Sequence, residues 1–144
     1  MKPYLSLVSQ RSLGPKPVSI PPPIGVPTTS TITLTELPTP VNLSLYSGDD
    51  FTMTLTVMNP DGTPTNLAGT TVKSQIRPNP ASSTISATLH WAIQANVITL
   101  SLIGTDSQNL VGNYSWDCQI TNTNAIVQTL VAGIATFTQD VTRP

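Results

Sequence analysis

The sequence predicts an all-β fold, a single antiparallel β-sandwich carrying an extended proline-rich arm at its N-terminus. Three observations lead there. Apolar residues recur at every second position through most of the chain after residue 40, the period of a strand with one buried face. Only 9% of the 144 residues are charged, and the polar positions are filled mainly by Thr, Ser, Asn and Gln; Thr is a strong strand former. Nine of the 14 prolines fall in the first 40 residues, so composition divides the chain into an arm, 1–40, and a sandwich domain, 41–144.

Proline fixes φ, removes a backbone donor and biases its predecessor toward extended backbone, so a segment containing Pro21-Pro22-Pro23 is expected to be extended and partly polyproline II. The arm is also apolar and slightly basic: Lys2, Arg11 and Lys16 against Glu36 leave +3 − 1 = +2. Three readings compete: an arm that lies along another protein, a disordered tail, and a ligand for an SH3-type domain. The first places partner contacts on Tyr4, Leu5, Leu7, Val8, Arg11, Lys16, Ile20, Ile24, Val26, Ile32 and Leu34. Ile32 and Leu34 would then add a strand to an open sheet edge of a neighbouring subunit.

The elements follow in order. Ile32 and Leu34 alternate with threonines until Pro38 and Pro40 break the pattern, which suits an edge strand. Val41, Leu43 and Leu45 alternate up to the turn Ser47-Gly48-Asp49-Asp50. Phe51, Met53, Leu55 and Val57 form the clearest strand. Asn59-Pro60-Asp61-Gly62-Thr63-Pro64 is a turn, with Pro presetting φ and Gly taking a positive one. Val72 to Arg77 is a strand whose outer face carries Lys73, Gln75 and Arg77. Ile85, Ala87, Leu89 and Trp91 alternate, as do Ile98, Leu100 and Leu102 after a turn near Ala95-Asn96. Residues 105–110 read as a turn of helix or a loop. Gly112 to Ile120 is the central strand, with Tyr114, Trp116, Cys118 and Ile120 on its apolar face. Asn122-Thr123-Asn124 is a hairpin turn, and Gly133 is expected to mark a bulge or bend in the long final strand. The predicted core is Phe51, Leu55, Ile76, Leu89, Leu100, Tyr114, Trp116, Cys118 and Ile120.

The chemistry-bearing residues are few. His90 is the one histidine, which leaves neither a zinc cluster nor a choice of bases for a catalytic triad. Asp49-Asp50 lacks the further oxygens of a calcium loop. No glycine-rich phosphate loop is present. Lys73 and Arg77 have no interleaved aromatics, and the net charge of −1 offers nucleic acid or an acidic membrane little attraction. Cys118 is unpaired and falls on an apolar face, where an inert thiol is expected. Pro3, Arg11, Pro15 and Lys16 interrupt any apolar run at the N-terminus, so neither a signal peptide nor a membrane span is expected. The expectation is a soluble protein made in a cytoplasm, with no catalytic residues, metal or cofactor.

From Tyr46 onward the chain resembles a recurring bacteriophage virion module, immunoglobulin-like or baseplate-like, found in capsid decoration and in baseplate or tail proteins. The resemblance is carried by Ser47-Gly48-Asp49-Asp50-Phe51, by Asn59 to Pro64 with Leu67 and Gly69, and by Gln75-Ile76-Arg77. It continues through Leu100-Ser101-Leu102, Gly112 to Asp117, Gly133 and Val141-Thr142-Arg143. Polar turn, Leu110, Gly112, Tyr114 and Cys118 in that order are also similar to the tyrosine corner of immunoglobulin-like sandwiches; a generic central strand explains them equally well. The resemblance implies a non-enzymatic structural protein of the virion, synthesised in the host cytoplasm. The favoured expectation is a capsid decoration (cement) protein on the capsid exterior, anchored through its arm to the major capsid protein and self-associating. The alternatives are a baseplate or tail-fibre attachment subunit and a carbohydrate-binding sandwich. The last would need exposed aromatics, whereas Trp91, Trp116 and Tyr114 all pattern inward.

Overall fold

The computed structural model describes residues 29–35 and 37–142. They form nine strands and one helical turn: β1 (Thr29–Thr33), β2 (Thr39–Pro40), β3 (Leu43–Tyr46), β4 (Phe51–Met58), β5 (Thr71–Arg77), β6 (Ala87–Gln94), β7 (Val97–Leu102), α1 (Gly104–Ser107), β8 (Gly112–Thr121) and β9 (Val127–Thr138). The all-β expectation holds. The pairing does not match a purely antiparallel sandwich. The strand order is β1-β4-β7-β6-β5-β8-β9-β2, with β3 also on β9, and the sheet is mixed and nearly closed like a barrel. The ladders from β4 through β9 are antiparallel. β1 on β4, and β2 and β3 on β9, are parallel. The reason is topological: the chain lays β1 on one edge, crosses in a few residues, and lays β2 and β3 on the other edge in the same direction.

β6 is the corner. Its residues Ala87 to Leu89 pair with β5, and His90 to Gln94 pair with β7. One strand thus serves both halves of the sheet, as corner strands do in closed or orthogonal packings.

The core is a continuous cluster of alternating inward residues. Leu55, Ile76, Leu89, Leu100, Trp116, Cys118 and Ile120 are buried as expected, while Phe51 and Tyr114 are half-buried against the cluster. The Tyr114 ring meets Phe137 edge-on at 5.7 Å. Ile32, Leu43, Met53, Ile98, Leu102, Leu130 and Phe137 also belong to the core. The Asn59 turn closes through Asn59 N donating to Thr63 O (2.8 Å), with Asp61 Oδ1 accepting from Thr63 N and Oγ1. Gly62 takes φ +87° there, as its turn requires.

Two expectations are corrected. The bulge in β9 lies at Leu130, where the register with β8 shifts between Cys118 and Gln119, and not at Gly133. Gly133 instead lets another backbone pass. A Cβ there would overlap the Val41 carbonyl oxygen and come within 2.7 Å of its carbon. This is where β2 and β3 are interrupted. Val41 N donates to Ala132 O, Val41 O accepts Trp116 Nε1–H at 2.8 Å, and Asn42 Oδ1 accepts the Ile134 amide. Trp91 is the second correction. It pairs with buried Leu100 and so faces inward, yet it is 42% exposed. β6 is the last strand of its half at that point, so nothing covers its far side.

The described sheet also includes β1 and β2, from Thr29 onward, within the stretch that composition assigns to the arm. Ile32 is fully buried in the core of its own chain, with β1 paired to its own β4, and Leu34 packs against the same core. Apolar alternation identified a strand here but could not identify whose sheet it joins.

Candidate functional site

An open groove of about 690 Å³ lies on the outer face of β5, β8 and β9. Its floor follows from the period-2 rule applied to three adjacent strands. β5 contributes Lys73, Gln75 and Arg77; β8 contributes Ser115, Asp117 and Gln119; β9 contributes Ala132 and Ile134. The register sets Arg77 beside Ser115, Gln75 beside Asp117 and Lys73 beside Gln119. Arg77 is held in place from two sides, its Nη2 donating to Gln75 Oε1 and its Nη1 to the Ser82 carbonyl, both at 2.8 Å. Burial pushes the Asp117 carboxyl above its ordinary pKa, against the opposing pull of Arg77. Ile134 is half exposed and gives the groove an apolar wall.

Lys73 and Arg77 are the only Lys or Arg among the described residues, so the described surface carries all its fixed positive charge in this groove. The carboxylates lie mostly elsewhere. Asp49 and Asp50 occupy the β3–β4 turn, and Asp50 Oδ1 accepts the Gly104 amide at 2.7 Å, which brings Asp106 of α1 to the same end. Asp140 follows Thr138, whose carbonyl accepts the Ser47 amide. The same end is tied down by Ser47 Oγ donating to Leu110 O and by Gly48 N donating to Ser107 Oγ.

A second, shallower hollow of about 420 Å³ lies between Trp91 and Ile93 of β6 and the Asn66 to Thr70 loop. His90 is exposed on the outer face of β6. Cys118 is fully buried; desolvation first, then the neighbouring Asp117 charge, pushes its thiol up to about 12. Among the described residues no three His, Cys, Asp or Glu side chains gather as a metal site. No described helix is long and apolar enough to cross a membrane. Of the arm contacts, Tyr4, Leu5, Leu7, Val8, Arg11, Lys16, Ile20, Ile24 and Val26 lie outside the described residues. The groove was missed by sequence reasoning. Its residues were visible as outer faces of single strands, but nothing local says that those strands are neighbours.

No protein-family model matches the chain, and no curated protein sequence matches it. Among solved structures the chain is similar to the N-terminal domain of phage TP901-1 ORF48, at 11% identity and a TM-score of 0.45, over 76% of this chain and 98% of that one. A likeness that loose carries no inference about function.

Proposed function

We propose that the protein is a non-enzymatic structural subunit of a phage virion, a capsid decoration protein anchored through its N-terminal arm to the major capsid protein. The observation that supports this is how the arm joins the body. The 28 residues that precede β1 include seven of the 14 prolines. They feed directly into a strand at the sheet's outer edge, pinned by the buried Ile32 and by the hydroxyl contact of Thr29 with Thr54. An arm gripped by a partner would therefore be continuous with the core of the body. Baseplate or tail attachment uses the same anchoring logic, and copy number in the particle separates the two: many over the shell, or few at the tail.

Deleting residues 1–28 tests the proposal. The shortened chain should keep a strand-dominated circular-dichroism spectrum and lose incorporation into particles lacking the native subunit. Incorporation as efficient as that of the full chain would overturn the arm's role. Deletion through Thr33 is the contrasting control, since it also removes Ile32 and should cost the body stability on the order of 2–5 kcal/mol.

One observation favours a second reading, a saccharide-binding module: the exposed indole of Trp91 beside its hollow offers a face on which a sugar ring can stack. Titrating the protein with oligosaccharides should change indole fluorescence in the native protein and not in Trp91→Phe. No change in either removes this reading.

A further inference from the structure

We infer that the outer groove of β5, β8 and β9 is a docking site for a second copy of this chain, which seats its acidic end there in a head-to-tail contact. This deepens the self-association in the reading above and uses residues separate from the arm.

Charge carries the argument. The described residues hold two cations, Lys73 and Arg77, and six carboxylates, Asp49, Asp50, Asp61, Asp106, Asp117 and Asp140. Both cations line the groove with one of the carboxylates, leaving it +2 − 1 = +1. Four of the others, Asp49, Asp50, Asp106 and Asp140, belong to segments that meet at one end of the sheet, the β3–β4 turn, α1 and the chain after β9, tied by Gly104 N to Asp50 Oδ1 and Ser47 N to Thr138 O. Wherever that end approaches the described body of another copy, only the groove offers it opposite charge. Like charges brought together across an interface cost several kcal/mol, so other orientations are selected against.

Each surface also carries the apolar component that such contacts need. The groove presents Ile134, 48% exposed, and the acidic end presents Ile103 and Val111, 46% and 54% exposed. Arg77 is already fixed by Gln75 and Ser82, so seating a carboxylate costs less side-chain entropy than a free arginine would. The two surfaces are different patches of one molecule, so the contact is heterologous and repeats. It closes into a ring or continues as a file of subunits, according to the rotation between copies.

Sedimentation velocity on the full-length protein, over a range of concentrations in low and high salt, tests this. The wild type should associate in low salt and dissociate as salt screens the contact. Lys73→Glu, at an exposed position, should weaken association about tenfold or more, the effect of roughly 1.4 kcal/mol. Asp49→Lys with Asp106→Lys should do the same, and all three changes in one chain should recover association relative to Lys73→Glu alone, because the groove then carries −1 while the end, cut from −4 to 0, presents Lys side chains to it. Circular dichroism verifies folding of each variant. A wild type that stays monomeric at every concentration overturns the inference, as does failure of the triple variant to recover. If Lys73→Glu associates normally while the Asp49/Asp106 reversal does not, the arm's own cations hold the acidic end. The groove is then refuted and the arm reading survives.

Discussion

Replacing Gly133 with Ala probes the most crowded point of the fold. The added Cβ would overlap the Val41 carbonyl and stand 2.8 Å from Asn42 Oδ1, so the β2–β3 crossing must move away from β9. Three hydrogen bonds depend on its present position: Trp116 Nε1 to Val41 O, Val41 N to Ala132 O, and Ile134 N to Asn42 Oδ1. Leaving the buried indole donor and its acceptor unpaired costs about 1–3 kcal/mol, and each of the other two about 0.5–1.5. Removing a glycine from a strand interior returns roughly 0.5–1 kcal/mol. The expected net loss is about 1–5 kcal/mol. The assay is urea unfolding followed by circular dichroism, a signal that survives replacement of Trp116 itself. Trp116→Phe removes the same donor, so in a double-mutant cycle the two changes should fall short of additivity by about 1 kcal/mol or more. A loss under about 0.5 kcal/mol, or simple additivity, would refute the account of Gly133 as the residue that admits the Val41 carbonyl.

Cys118 gives a further prediction. Its thiol is pushed up from 9.0 to about 12 in the folded protein, so the unfolded chain releases this proton first. The stability tied to it is complete below about pH 9 and is lost as pH rises toward 12. Denaturant midpoints should therefore fall across that window in the wild type and fall less in Cys118→Ala. A thiol reagent should label the wild type only after unfolding, and rapid labelling of the native protein would contradict the buried placement.

Legibility followed locality. Phe51 to Val57 and Gly112 to Ile120 were readable as strands because side-chain alternation needs only neighbours in sequence. Asn59 to Pro64 was readable as a turn because Asn, Pro, Asp and Gly act on their own backbone. Trp91 shows the limit. Alternation correctly turned it inward, but depth depends on how many strands lie beyond it, and β6 has none on that side there. β1 shows the same limit for pairing: Ile32 is as apolar as an edge strand needs, and no local feature distinguishes its own β4 from a neighbour's sheet. Gly133 is legible as special, but a bulge, a bend and a close backbone approach all favour glycine, and only the fold shows the Val41 carbonyl against it. The groove required the register between β5 and β8, a contact between residues about 40 apart in sequence.

The parallel course of the terminal strands has a mechanical side. β3 runs alongside β9 in the same direction, from Leu43 beside Ala135 to Tyr46 beside Thr138. The chain therefore enters this ladder at one end and, by way of β9, leaves it at the other. Tension between an anchored N-terminal segment and the end of β9 acts along the strands, across hydrogen bonds that are evenly spaced in a parallel pair. The load is shared by the ladder in shear, whereas a hairpin pulled from its open end yields one rung at a time. β1 on β4 presents the same geometry at the opposite edge, so a subunit held by its arm resists being drawn out by both margins of its sheet.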